Sequence, residues 1–388
     1  MTRPLLNRRL DGLGTSIFAE MSARAVATGA VNLGQGFPDV DGPRRIAEAA
    51  ADAVLTGKGN QYPPGIGIPE LRRAVAIHQQ RFYGLSYDPD TEVLVTAGAT
   101  EAIAAALLAL LEPGDEVIAF EPYYDSYVAD IAMAGGTRVP LTLHAPGFRP
   151  DLDKLAAAIT RKTRLLLLNS PHNPTGMVLT REETQAIADL AIANDLLVVT
   201  DEVYEHLVYD REHVPFATLD GMRERTVSVS SAGKAFSFTG WKVGWVTGTP
   251  EIVNAVRTTK QFLTFVSSGP FQYAVAEALT LPDSYFGTLA TDLKNKRDLF
   301  ASGLADIGFE VYRPDGTYFI TTDIAPLGES DAVEFCLSLP GKAGVVAIPS
   351  AVFYDDHPEA GRTMVRFAFC KRPEVLTEAL GRLAVLSS

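Results

Sequence analysis

Cysteine is scarce: Cys336 and Cys370 are the only two in 388 residues. Two thiols cannot build a disulfide framework, and they suit a reducing, cytoplasmic setting. Cationic side chains are in short supply too, 34 Lys and Arg against 47 Asp and Glu, for a net charge of −13. That balance argues against nucleic acid as a partner, because phosphate binding needs a basic surface. It does not exclude a small anion, which a few local cations in a closed cleft can hold. No stretch approaches the roughly 18 apolar residues of a membrane span, so no membrane contact is expected. The segment Met1 to Arg9 has no apolar core behind its basic residues, and no secretory signal is expected. The six histidines are scattered. His172, His206 and His213 lie nearest the motifs below, but no pair has zinc-site spacing, and no metal is expected. Short repeats and low-complexity tracts are also missing.

What remains is an ordinary globular composition, 47% apolar and 21% charged, long enough for one large domain plus a smaller one. The middle of the chain alternates strand and helix patterns. Strands are expected at 92–96, 116–120, 164–169, 196–200 and 226–230. The run 164–169 is continuously apolar, as in a strand buried on both faces. A helix is expected over 99–111, stopped by Glu112-Pro113-Gly114-Asp115. Another opens at Thr180 with Glu183 three residues on, a capping box, and runs to about Asn194. Such alternation implies an α/β fold with a mostly parallel sheet and helices on both faces. Ligands of such sheets bind beyond the carboxyl ends of the strands. The segment before residue 43 has few periodic elements. After residue 285 come a charged helix and strand patterns at 308–312 and 317–322. The two chain ends are therefore expected to pair in a smaller α+β domain.

Five features fall at strand ends or turns. Gly98-Ala99-Thr100 opens a helix, whose free N–H groups favour a phosphate. Glu121-Pro122-Tyr123-Tyr124-Asp125-Ser126-Tyr127 offers an aromatic face for a flat heterocycle. In Asn169-Ser170-Pro171-His172-Asn173-Pro174-Thr175-Gly176, two prolines fix a loop and aim an amide donor at a ring oxygen. Asp201-Glu202-Val203-Tyr204 ends a buried strand with a carboxylate that needs a partner, and a protonated pyridine nitrogen is one. Last, Lys234 sits in Ser231-Ala232-Gly233-Lys234, eight residues before Lys242. A confined amine can form a Schiff base with a carbonyl cofactor, while Ser231 and Lys242 can neutralise a phosphate. Each motif alone also reads as ordinary structure: a helix cap, a tyrosine-rich loop, a turn, a capping Asp, a surface lysine. Together and in this order they match every part of pyridoxal 5′-phosphate.

The chain at this point resembles the fold-type I, class I/II aminotransferases. It is most similar to the branch of kynurenine–oxoglutarate transaminase/cysteine-conjugate β-lyase, methionine aminotransferase and actinobacterial N-succinyldiaminopimelate aminotransferase. The likeness runs from Asn32-Leu33-Gly34-Gln35-Gly36-Phe37-Pro38-Asp39 to Val365-Arg366-Phe367-Ala368-Phe369-Cys370-Lys371. Landmarks between are Asn60-Gln61-Tyr62-Pro63, Pro69-Glu70-Leu71-Arg72 and the Asn173, Asp201 and Lys234 motifs.

The resemblance implies a large domain over 43–284 with a mostly parallel seven-stranded sheet. It implies an N-terminal arm with part of the small domain over 1–42, and a small C-terminal domain over 285–388. Lys234 would be the Schiff-base lysine and Asp201 the pyridinium partner. Asn173 and Tyr204 would bond the ring oxygen, and Tyr124 would stack on the ring. Ala99, Thr100, Ser231 and Lys242 would hold the phosphate. Tyr62 would reach the neighbouring subunit's phosphate in a homodimer. Arg366 would grip the substrate α-carboxylate as a two-point fork, with Gly34 giving room beside it.

The implied reaction moves an amino group from an L-amino acid to a 2-oxo acid, 2-oxoglutarate being the expected acceptor. Freed Lys234 would carry the α-proton as general base and acid. Where kynurenine-type enzymes place aromatic residues over the substrate, this chain has Val266-Ser267-Ser268-Gly269 and Ser16-Ile17-Phe18. The smaller residues leave room for a long acylated donor such as N-succinyl-L,L-diaminopimelate. Kynurenine, methionine and glutamine stay open as donors, and β-elimination from cysteine conjugates is a second chemistry of the same site. A non-catalytic regulator that kept this fold would need a DNA-binding segment and a basic surface, and the chain offers neither.

Overall fold

Leu165, Leu166, Leu167 and Leu168 are all essentially inaccessible, which a strand achieves only with helices on both faces. In the computed structural model, which describes residues 5–11 and 17–387, they lie in the middle of a seven-stranded sheet. Ser16 lies outside the described residues.

In chain order the strands begin with a short β1 (Val31–Asn32). The large sheet follows: β2 (Val93–Thr96), β3 (Glu116–Glu121), β4 (Thr137–Thr142), β5 (Thr163–Asn169), β6 (Leu197–Asp201), β7 (Thr226–Ser231) and β8 (Gly244–Thr247). Its order is β2-β8-β7-β6-β5-β3-β4, with β8 antiparallel to both neighbours and the other contacts parallel. Side chains alternate between faces as strand geometry requires. Leu165 and Leu167 join a core with the helix Gly98–Leu110. Leu166 and Leu168 join another with the helix Arg181–Ala193. The capping box at the start of the latter forms: Thr180 Oγ1 accepts from the Glu183 N–H at 3.1 Å, and Glu183 accepts from the Thr180 N–H at 2.9 Å.

Four further strands, β9 (Glu310–Tyr312), β10 (Phe319–Asp323), β12 (Ile348–Pro349) and β13 (Met364–Ala368), make an antiparallel sheet in the order β12-β13-β10-β9. Between them in sequence, β11 (Val345–Val346) pairs in parallel with β1. This ladder ties the start of the chain to its end. A 25-residue helix, Asp283–Ile307, packs against the smaller sheet.

The helix Ile17–Thr28 was not legible in the sequence. It buries only Met21 and Ala25, too few apolar positions to print a 3.6-residue period. Among the described residues no helix is long and apolar enough to cross a membrane. Strands β5, β6 and β7 end side by side, with Asn169 opposite Asp201 and Asp201 opposite Val229. Their carboxyl ends form the floor of a cleft, and β13 brings Arg366 to its edge.

Candidate active site

The cleft begins at a glycine contact. Gly98 opens its helix at φ +72°, and among the described residues no side chain caps the N-terminus, so its first N–H groups are left for the cleft. Gly244 of β8 lies so close that a Cβ there would sit 2.5 Å from the Gly98 carbonyl carbon. Lys242, at φ +52°, turns its side chain over Gly98, and its Nζ donates to Thr100 Oγ1 at 3.1 Å. Ala99, Thr100, Ser231 and Lys242 all line this end of the cleft. The helix dipole and the ammonium make it an anion site.

Lys234 follows, in the short helix Ala232–Ala235 that leaves β7. Its Nζ stands 5.6 Å from the ring centroids of both Tyr204 and Tyr318. Burial pushes its pKa down to about 8; Cys370 and Asp201 oppose the shift, and Lys242 and Arg366 add to it. An amine of this kind is still mostly protonated at neutral pH, but it gives up its proton far more readily than an exposed lysine.

Asp201 ends β6 inside the same cleft. Burial raises its pKa; the Tyr127 hydroxyl, the Val203 N–H and the Lys234 charge work against that rise. Tyr127 donates to Asp201 Oδ2 at 2.7 Å. Asn169 spans the floor: its Nδ2 donates to the Asp201 carbonyl at 2.8 Å, and its Oδ1 accepts from the Asn173 N–H at 2.7 Å. Tyr127 and Asn169 were quoted in the sequence motifs without these positioning roles. The i, i+4 pair of asparagines was the available signal for the second.

Tyr124 and Asn173 complete the cleft walls beside Tyr204. Asn173 Oδ1 accepts from Arg366 Nη1 at 2.9 Å, which leaves its NH₂ for the cleft. Arg366 Nη2 donates to the Gly34 carbonyl at 3.0 Å. Its guanidinium lies 4.0 Å from the Phe319 ring centroid and 4.8 Å from that of Phe353. Its Nε is buried without a partner among the described residues. Burial lowers the Arg366 pKa to about 10, so it remains a cation at neutral pH with donors to spare.

Four expected site residues are not among the cleft walls: Gly34 and Arg366, bonded to each other behind Asn173, and Ile17 and Tyr62. Ile17 packs, partly buried, against the core around the smaller sheet. Tyr62 is 82% exposed, its ring 5.7 Å from that of the half-exposed Phe265.

An anion cradle, a buried carboxylate held by a tyrosine and a lysine of lowered pKa converge in one cleft, and an arginine bonded to Asn173 stands behind its wall. That donor set fits a phosphorylated pyridine aldehyde, one part to each group. The site and fold define a pyridoxal-phosphate enzyme of fold type I. The chain belongs to the class I and II aminotransferases, whose family pattern matches residues 28–383. It is 53% identical over 391 residues to a probable N-succinyldiaminopimelate aminotransferase of Mycobacterium tuberculosis, covering 98% of each chain. It is 40% identical over 379 residues to the methionine aminotransferase of Escherichia coli, covering 97% of each. The solved structure of the N-succinyldiaminopimelate aminotransferase from Mycobacterium tuberculosis superposes with a TM-score of 0.96, over 98% of this chain and all of that one. The protein is thus a pyridoxal-phosphate-dependent aminotransferase.

Proposed function

We propose that the enzyme takes its amino group from N-succinyldiaminopimelate and passes it to 2-oxoglutarate, in lysine biosynthesis. The carrying observation is the 53% identity, over 98% of both chains, to a relative bearing that substrate's name. The short side chains of Val266-Ser267-Ser268 agree with a long acylated donor.

In this reading Lys234 is the nucleophilic amine that holds the cofactor. When bound, the cofactor draws electrons from the substrate α-carbon and so makes its proton removable. Asp201, steadied by Tyr127, holds the pyridine nitrogen protonated. Asn173 and Tyr204 donate to the ring oxygen, and Tyr124 covers one ring face. The helix start at Ala99 and Thr100, with Ser231 and Lys242, holds the phosphate. Arg366 and Asn173 orient the α-carboxylate beside Gly34, and Lys234 Nζ then takes and returns the α-proton. Ile17 precedes Phe18, whose ring lies 5.3 Å from the Arg366 guanidinium, and is the proposed neighbour of the donor side chain.

We also propose that the enzyme is a homodimer in which Tyr62 completes the neighbouring site. The exposure of Tyr62, Phe262 and Phe265 supports this: 82%, 82% and 50%. The division into a large domain over 43–284 and a smaller one from 1–42 and 285–388 is supported by the β1–β11 ladder. A cytoplasmic location is in keeping with the two unpaired, buried cysteines.

The test is a single-turnover screen. Holoenzyme is mixed with N-succinyldiaminopimelate, methionine, glutamine, phenylalanine or kynurenine, and conversion of the bound cofactor to its amine form is followed by absorbance. N-succinyldiaminopimelate is expected to react fastest by at least 10-fold, a margin that a few good polar contacts supply. A faster reaction with methionine or kynurenine would overturn the substrate while leaving the chemistry intact. Pyruvate and ammonia released from a cysteine conjugate without a 2-oxo acid would reassign the chemistry to β-elimination.

A further inference from the structure

Behind the floor of the cleft, three side chains converge that the amino-transfer chemistry does not use. His78, on the helix Pro69–Tyr83, and Glu205 and His206, on the turn after β6, place one potential ligand atom each within 4.8 Å of one another. His78 Nε2 lies 2.7 Å from His206 Nε2. His78 and His206 are 128 positions apart, so local spacing in the sequence could not reveal them.

We propose that His78, Glu205 and His206 form a binding site for a divalent transition ion of the zinc class. Two imidazoles and a carboxylate, with an open fourth position, make an ordinary ligand set for such an ion. The second observation is a half-satisfied carboxylate. Glu205 is 5% exposed, yet its Oε2 is buried with no hydrogen-bond partner among the described residues. Its Oε1 accepts from Ser230 Oγ at 2.5 Å. The Tyr83 hydroxyl lies beside the carboxylate without closing a hydrogen bond to Oε2. Leaving one oxygen of a buried carboxylate unpartnered is costly, and a cation removes that cost.

Arg81 is the opposing cation nearby, but it is engaged with Asp283 and the Leu281 carbonyl. A solvent-open cavity of roughly 760 Å³ reaches Glu205 and His206 and gives an entry path. His213 Nδ1 is also buried without a partner among the described residues, and His213 lines the same cavity.

Zinc–nitrogen bonds of about 2.0–2.1 Å in a tetrahedron set two nitrogens roughly 3.3 Å apart. The imidazoles would therefore separate by about half an ångström as the ion enters. In its absence a single N–H···N hydrogen bond joins them. The ion would pin the helix Pro69–Tyr83 to Glu205 and His206, immediately after Tyr204. Its role is to stiffen the cofactor floor, and the inference does not depend on which amino acid is the donor.

The experiment titrates chelator-dialysed holoenzyme with zinc chloride in a calorimeter and counts bound zinc after gel filtration. One zinc per chain is expected, with affinity falling at least about 100-fold in Glu205→Gln and in His206→Gln, since loss of a direct ligand exceeds the 10–100-fold effects of outer-shell partners. Equal binding by wild type and both variants would overturn the site, as would no stoichiometric binding by wild type. If either variant fails to retain cofactor absorbance, wild-type crystals soaked in zinc decide. An anomalous peak between His78 and His206 supports the site, and a map with no peak there rejects it.

Discussion

Lys234 is shifted chiefly by burial and only secondarily by its charged neighbours. An amine titrating near 8 is protonated below that pH and neutral above it. Covalent uptake of pyridoxal phosphate by cofactor-free enzyme is therefore expected to accelerate through about pH 8 and then level off. A stopped-flow series at fixed ionic strength checks this; a rate still climbing towards the ordinary lysine value would contradict it. Arg366 works through geometry, since its planar fork already spends one nitrogen on Asn173 and another on Gly34. Arg366→Lys keeps the charge and loses the fork, so the KM for the amino donor is expected to rise about 100-fold or more, with a smaller fall in kcat. Tyr127→Phe deletes one hydrogen bond to a carboxylate, worth about 1.5–3 kcal/mol. The half-reaction rate is expected to fall about 10- to 100-fold while the protein still folds.

At the scale of elements, the strand ends do the positioning. Asn169, Asp201 and Ser231 close three neighbouring strands: register pairs Asn169 with Asp201, and Ser231 lies two residues beyond Val229, the partner of Asp201. This is why so much of the site was legible beforehand. A buried strand prints a continuous apolar run, and the polar residue that ends it stands out. The capping box at Thr180 and Glu183 was legible for the same local reason. What is built from contacts distant in sequence was not: the Arg366–Gly34 bond, the Tyr127 grip on Asp201, the His78–His206 pair and the weakly patterned helix Ile17–Thr28. The Gly98–Gly244 contact belongs to this second kind. Gly244→Ala would drive a methyl into the Gly98 backbone. Overpacking of that kind costs about 1–3 kcal/mol, so cofactor affinity, read by equilibrium dialysis, is expected to drop about 10- to 100-fold. Thr180→Ala, remote from the cleft, is expected to cost about 1 kcal/mol in chemical denaturation and to leave transamination unchanged.

At the scale of the molecule, the proposed catalytic groups come from two sheets. The seven-stranded sheet carries the groups proposed to hold the cofactor, and β13 of the smaller sheet carries the arginine proposed to hold the substrate. Asn173, in the loop after β5, is the point where Arg366 of the smaller sheet reaches the larger one. The exposed Tyr62 and Phe265 lead to an expectation of dimers in sedimentation, and Tyr62→Ala is expected to weaken cofactor retention without changing Lys234. All of this rests on Lys234 being the residue that holds the cofactor. The most direct measurement is reduction of the holoenzyme with sodium borohydride, which freezes the cofactor–lysine link, followed by peptide mass mapping. The expected result is a single phosphopyridoxyl group on the peptide containing Lys234, absent in Lys234→Ala. A label on Lys242 or Lys260, or an unlabelled Lys234 in enzyme that still transaminates, would contradict the account.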